Sequence, residues 1–194
     1  MSRGNVAGLP QGAYRLYHPE AVSQALDEMA VRLTEAVGSC QPLVLVVLTG
    51  GLYTGAWLTQ RLPFALEIDF IRVSRYRSGT ESGQLEWLLK PRTSPAGRTV
   101  VLIDDVWDEG ITMAHLKQWL TGEGAQQVLS TVLVWKSPVT HSLGSSGPDI
   151  YGLRAGHEWL LGCGLDLDGQ WRHLPAIYAL SEIEPLRPAG RDSR

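Results

Sequence analysis

Four carboxylates fall within six positions of one short stretch, where Asp104, Asp105, Asp108 and Glu109 follow the apolar run "VVLI" (100–103). Like charges so closely spaced repel unless something cationic or hydroxylated binds among them. The stretch "VVLIDDVWDEGITM" (100–113) therefore reads as half of a binding site. Gly110 permits a tight turn, and Thr112 is placed to cap the helix that follows. The amides of residues 108–112 would then form an anion cradle with a helix N-terminus behind it. A phosphate held there leaves Asp104 and Asp105 facing a ligand rich in hydroxyls, such as a ribose. The alternative is an acidic helix start with solvated carboxylates, and short motifs alone leave both readings open.

Two further stretches belong to the same question. "LTGGLYTG" (48–55) has glycines spaced like the start of a P-loop, but Ala56 and Trp57 stand where Lys-Ser/Thr is required, so an ATPase reading fails. The Gly50-Gly51 pair still lets backbone approach an anion closely, although a plain strand–helix turn explains it equally well. Lys136 follows "VLVW" at a strand end, where a lysine is most often only a solvated terminus. The seven tryptophans are mostly core material, and the five histidines show no metal spacing.

The elements that must position these residues alternate. "PEAVSQALDEMAVRLTEAV" repeats its apolar residues at helical spacing, with Pro19 in the first turn and Gly38 past the end, and predicts a helix over 19–37. "LVLVVL" (43–48) is apolar throughout, as a strand buried on both faces must be. Helix over 52–61, strands over 65–73, 85–90 and 99–104, helix over 112–124 and strand over 127–135 complete the series. Residues 137–149 read as a turn-rich loop, and 158–180 as short strands and turns. Strand–helix alternation with short connections predicts an α/β fold around a mainly parallel central sheet flanked by helices. In such sheets ligands sit at the carboxyl ends of the strands. Thr49-Gly50-Gly51, the 104–112 stretch and Lys136 all fall at such ends, so they are expected to share one site.

Composition sets the outer bounds. The 194 residues suffice for one domain with a full core. At 44% hydrophobic and 19% charged the mixture is that of a soluble globular protein. A net charge of −3 gives no general attraction to nucleic acid or to an anionic membrane. Cys40 and Cys163 lie far apart without a Cys/His cluster, so neither a zinc site nor a disulfide framework is expected. No stretch is long and apolar enough to span a bilayer, and the N-terminus lacks an apolar signal region. The expected compartment is the cytoplasm.

The 100–113 stretch resembles the phosphoribosyl-pyrophosphate (PRPP) signature of the type I phosphoribosyltransferases: an apolar strand, two acids, two mostly apolar residues, then Asp-x-Gly-x-Thr. "VLTGGLYTGAWL", "LEIDFIRVSRYRSGTESG", "VLVWK" and "PDIYG…EWLLGCGLDLDGQWRHLP" are similar, in that order, to successive motifs of the hypoxanthine-guanine branch, over roughly residues 15–180. The resemblance implies the type I fold as one domain over 1–184, with a small hood built from the N-terminal segment and about 150–180. Residues 185–194 are expected to form a disordered tail. It also implies PRPP and a purine base, hypoxanthine or guanine, as partners, Mg²⁺ as cofactor, and a homodimer or homotetramer, with neither nucleic acid nor membrane as partner.

Carried over by position, the resemblance implies that Asp104 and Asp105 hold the ribose hydroxyls and assist the metal. Asp108, Glu109, Gly110, Ile111 and Thr112 cradle the 5′-phosphate. Asp108 also manages the proton at N7 of the purine and is the implied catalytic group. Lys136 meets the exocyclic O6, Trp159 stacks on the base and the Leu160 backbone meets its opposite edge. Asp166 binds Mg²⁺ and Arg172 the pyrophosphate. Thr49 and Gly50 lie beneath that pyrophosphate, next to a non-proline cis peptide. Arg75 and Tyr76 stand at the closing end of a mobile loop, 74–83. Thr49, Glu109 and Glu158 depart from the commonest family residues, which are lysine, threonine and a basic residue. Two other readings fit the fold: a xanthine-preferring enzyme, and a nucleotide-sensing regulator without catalysis. The regulator needs a basic face, which this acidic chain does not supply.

Overall fold

The computed structural model describes residues 8–75, 85–136 and 147–180. Its main sheet has six strands in the order β4-β3-β2-β5-β6-β7. These are β2 (Leu43–Leu48), β3 (Glu67–Arg75), β4 (Leu85–Leu89), β5 (Thr99–Trp107), β6 (Gln127–Lys136) and β7 (Ile150–Ala155). All neighbours run parallel except β3 and β4. Helices α1 (Pro19–Val37) and α2 (Gly51–Thr59) cover one face and α3 (Ile111–Gly122) the other. The sequence-predicted α/β class, with a mainly parallel sheet flanked by helices, is the fold observed.

Burial on both faces explains the apolar strands. Alternate residues of β2 and β5 go to opposite sides. Val44, Val46, Val101 and Ile103 meet Leu26, Met29, Leu33 and Leu58 of α1 and α2. Leu43, Leu45, Val100 and Leu102 meet Met113, Leu116 and Leu120 of α3. Helix α1 begins at Pro19 and stops at Gly38, whose amide bonds the Thr34 carbonyl at 3.1 Å.

A second, three-stranded antiparallel sheet has the order β1-β9-β8, from β1 (Tyr14–Tyr17), β8 (Trp159–Leu161) and β9 (Ile177–Leu180). It joins the two ends of the described chain into a small lobe over the carboxyl ends of the main strands. Residues 150–155, expected in the hood, instead extend the main sheet as its edge strand β7. The reason is packing: Gly152 lets α1 lie against the strand, and a side chain there would meet Met29 Sδ at 2.8 Å and the Leu133 carbonyl at 3.1 Å. Strand β5 runs three residues past its expected end, because Asp104, Val106 and Trp107 continue the ladder with Val132, Val134 and Trp135. Strand β3 starts at Glu67, where its pairing with Leu43 begins, and reaches Arg75 because β4 pairs with its end.

Asp149 ties the edge strand to the rest. Its Oδ2 accepts the Ser130 amide at 2.7 Å, the Ser130 hydroxyl at 2.6 Å and the Lys117 ammonium at 2.8 Å. Burial pushes this carboxyl up, but the bonds from Lys117 and Ser130 outweigh it and hold it below the ordinary 3.8. Asp149→Ala leaves the buried Ser130 donors without their acceptor, at a cost of about 1–3 kcal/mol. Thermal unfolding should therefore show Tm lowered by roughly 2–10 °C at neutral pH. A depressed native pKa contributes stability above the unfolded value that is lost as pH falls through the native one, so the gap between wild type and variant should close in acid.

Candidate active site

Strands β2, β5 and β6 deliver their carboxyl ends to one cavity of about 400 Å³, and the hood closes its other side. Asp104, Asp105, Asp108, Thr112, Lys136, Trp159, Leu160, Gly50, Asp166 and Arg172 all line it. Val47, Leu48, Val73, Val106 and Leu165 complete the wall with Ser74, the first residue of the expected closing loop; the five apolar ones were not expected from sequence, since apolar strand residues look alike whether they face core or cavity. Thr49, Glu109 and Ile111 are exposed and do not line the cavity, and neither does Gly110, which is buried. Arg75 ends β3, and Tyr76 lies outside the described residues, as do most of the loop 74–83 and the tail 185–194.

The turn between β5 and α3 depends on Gly110, which adopts φ 76°, ψ 0°. A side chain here would meet the Trp107 ring within 2.5 Å, so conformation and space both demand glycine. The expected cap is corrected: α3 starts at Ile111 with Gly110 as its N-cap and no side-chain cap bond, so Thr112 is already inside the helix. The first helical bond runs from the Ala114 amide to the Gly110 carbonyl at 2.9 Å. The amides ahead of it point out of the helix end, where the helix dipole favours an anion.

Asp104 and Asp105 stand beside one another, and the Asp105 amide bonds Asp104 Oδ1 at 2.9 Å. Desolvation, then the charge of its neighbour, pushes the Asp104 carboxyl well above the ordinary 3.8. Desolvation also raises Asp105, against the pull of its bond with Asp104 and of the Arg172 guanidinium. Backbone crowds in behind them. Any side chain at Gly50 would collide with the Asp105 carboxylate, and one at Gly164 with the Gly50 carbonyl. The Leu48–Thr49 peptide is cis, as the resemblance implied.

Arg172 gathers the acids of the hood side. It pairs with Asp166 at 2.7 Å, reaches Asp105 at 4.0 Å and donates to the Gly164 carbonyl. Asp166 also accepts the Gly169 amide at 2.7 Å, while its carbonyl accepts the Trp159 indole N–H at 2.7 Å. On the far side, the Lys136 side chain, only 13% exposed, brings its ammonium to 3.9 Å from Asp108. Among the described residues no trio of His, Cys, Asp or Glu is placed to hold a metal by itself. The oxygen donors Asp104, Asp105 and Asp166 suit a hard divalent ion that takes its remaining ligands from phosphate and water, the habit of Mg²⁺.

The family model for the phosphoribosyl transferase domain matches residues 13–143. The hypoxanthine-guanine phosphoribosyltransferase of Lactococcus lactis is 31% identical over 85% of this chain and 89% of that protein. The hypoxanthine-guanine-xanthine phosphoribosyltransferase of Tritrichomonas foetus is 28% identical over 86% and 91%. A solved hypoxanthine phosphoribosyltransferase from Staphylococcus aureus superposes with a TM-score of 0.77 at 27% identity, covering 86% of this chain and 90% of that one.

Holding two carboxylates side by side at a desolvated strand end works against folding. Asp104→Asn should therefore raise the Tm of the unliganded protein, by roughly 2–4 °C if relief is near 1 kcal/mol. For a carboxyl with a raised native pKa, stability falls as pH climbs from the ordinary 3.8 to the native value and is level beyond it. Unfolding curves of wild type should carry that slope, and those of the variant should lose most of it.

Proposed function

The chain belongs to the phosphoribosyl transferase domain family, and we propose that within it the protein performs purine salvage. It transfers the 5-phosphoribosyl group from PRPP to hypoxanthine or guanine, giving IMP or GMP and pyrophosphate. The observation that carries this reading is convergence: an acid pair, the start of a helix, a largely enclosed lysine and an aromatic plate share one cavity large enough for a nucleotide.

Each group has a chemical task in this reading. Asp104 and Asp105 accept the ribose hydroxyls, whose donors relieve the repulsion within the crowded pair. The 5′-phosphate settles on the amides at the start of α3, with the Thr112 hydroxyl beside them. Lys136 is too enclosed to be solvated freely and donates to O6, which selects a 6-oxopurine over adenine. Asp108 faces N7 and manages its proton as positive charge develops on the base. Trp159 lies over the ring, and Arg172 meets the pyrophosphate. Asp166, with Asp104 and Asp105, would hold Mg²⁺, which when bound neutralises charge on the leaving pyrophosphate.

Displacement at C1 develops charge on the ribose without needing a protein nucleophile. What these residues supply is position and electrostatics: anchoring the remote phosphate aligns C1 with the incoming nitrogen. Arg75 and Tyr76 belong to the closing loop in this reading, which excludes water that would hydrolyse PRPP. Thr49 and Glu109 act through their backbone, so their unusual side chains are compatible with activity. The enzyme works in the cytoplasm as a homodimer or homotetramer, a state supported by Ile68, Phe70, Leu88 and Leu89, which stay exposed at the β3–β4 edge.

Pyrophosphate release from PRPP with hypoxanthine and Mg²⁺ is the direct test. Asp108→Ala should lower kcat by roughly 10²–10⁴-fold, the range of a lost proton-transfer group. Absence of turnover with hypoxanthine, guanine and xanthine alike would remove the assignment.

A further inference from the structure

Resting on the reading just proposed, we infer that Trp135 is a positioning residue: clamped by Arg154, it fixes where Lys136 presents its ammonium to the purine. The lysine sets the problem. Lys136 is the last residue of β6, and its flexible four-carbon stem can sweep a wide arc. Its 3.9 Å contact with Asp108 is longer than a hydrogen bond, so that carboxylate does not hold it. Its aim therefore depends on the backbone that carries it.

That backbone is gripped one residue earlier. Trp135 pairs in register with Trp107 of β5 and with Arg154 of β7, at the carboxyl end of the sheet. Trp107 is buried in the core under α3, and Trp135 packs against the same cluster. Val106 and Asp108, on either side of Trp107, line the cavity instead, as Lys136 does after Trp135. The two tryptophans thus hold one side of the sheet edge, while Asp108 and Lys136 face the ligand on the other.

Beyond that core, Trp135 is closed in from three directions. The Arg154 guanidinium lies 3.5 Å from the centre of its ring, and the Tyr151 ring meets it at 5.0 Å and 72°. Gly147, at φ 86°, lies so close that a side chain there would sit 2.5 Å from Trp135 Cζ2. An aliphatic side chain would fill this part of the core as well, but only an aromatic face attracts an arginine. Arg154 is exposed, yet its charge is laid on that face, which pins the end of β6 from the edge strand. The Tyr17 hydroxyl donates to the Arg154 carbonyl and ties the same residue to the hood.

Trp135→Leu and Arg154→Ala each remove one half of the stack. Arg154→Ala changes an exposed side chain, so it tests the stack even where Trp135→Leu fails to fold. Both should weaken equilibrium binding of IMP about 3–10-fold, a share of one charge-assisted hydrogen bond. Binding of PRPP with Mg²⁺, which brings no base to Lys136, should not change. In a Lys136→Met background the same substitutions should have no further effect on IMP. The chain has three lysines, Lys90, Lys117 and Lys136, so reductive methylation read by mass spectrometry reports each one separately. Lys136 should react faster in both variants, relative to Lys90. Unchanged IMP affinity, parallel loss of both ligands, additivity with Lys136→Met or an unaltered Lys136 rate overturns the inference. Wild type that neither binds IMP nor uses any base refutes the functional reading instead. The methylation rates then still decide whether Trp135 governs Lys136, and unaltered rates refute that link as well.

Discussion

Two adjacent carboxylates at the end of a buried strand are the constraint around which this molecule is arranged. Asp104 and Asp105 cannot both ionise comfortably where β5 has placed them. Around them the chain has given up side chains: Gly50 and Gly164 bring backbone to a distance that no other residue permits. Arg172 supplies the only cationic group drawn toward the pair among the described contacts, and only at 4.0 Å. The pair is thus under-compensated by neighbouring side chains, and on the proposed reading the two vicinal hydroxyls of a ribose complete it. Natural sites commonly hold such unfavourable charge where ligand binding depends on it.

Parallel strands explain how groups distant in sequence reach that pair. The ends of β2, β5 and β6 lie side by side, so Gly50, Asp105 and Lys136 arrive together although 86 positions separate the first from the last. The hood adds a different economy. Its sheet pairs β1 from one end of the described chain with β9 from the other, and β8 carries Trp159 and Leu160 on that support. On the proposed reading, the base-binding wall is therefore held by the two ends of the described chain, while the ribose and phosphate wall is held by the core.

Legibility in the sequence followed the same division. The central helices and strands were readable because burial on two faces leaves long apolar runs and regular spacing, as in 43–48 and 19–37. The acid pair and the turn at Gly110 were readable because their chemistry is local. Strands β1 and β7 were not, being four and six residues long, with Gly152 interrupting the second. The hood turns were opaque for a sharper reason. Cys163, Asp168 and Trp171 take positive φ of 56°, 51° and 73°, a conformation that cysteine and tryptophan rarely adopt and that their types do not announce. The cap expected at Thr112 failed because the left-handed Gly110 itself starts the helix. The side chains of Thr49 and Glu109 are exposed, as their residue types favour, so any part they take in the site falls to their backbone.

Charge in the finished cavity raises a last question, because its preferred substrate is itself strongly anionic. Asp104, Asp105, Asp108 and Asp166 are set against only Lys136 and Arg172 among the lining residues. Side chains alone would repel PRPP. Lys136 is occupied near Asp108, and Arg172 is divided between Asp166, Asp105 and a carbonyl. On the proposed reading, attraction is completed by groups beyond these side chains: the amides at the start of α3 for one phosphate, and the bared backbone at Gly50 together with Mg²⁺ for the other. Such dipoles are fixed by the fold and need no reorganisation as charge moves between ribose, base and leaving group. The acids are then free to serve the developing positive charge on the sugar and base. A cavity lined with carboxylates and floored with amides suits a reaction whose anions are spectators held at the edges while the cationic character grows in the middle.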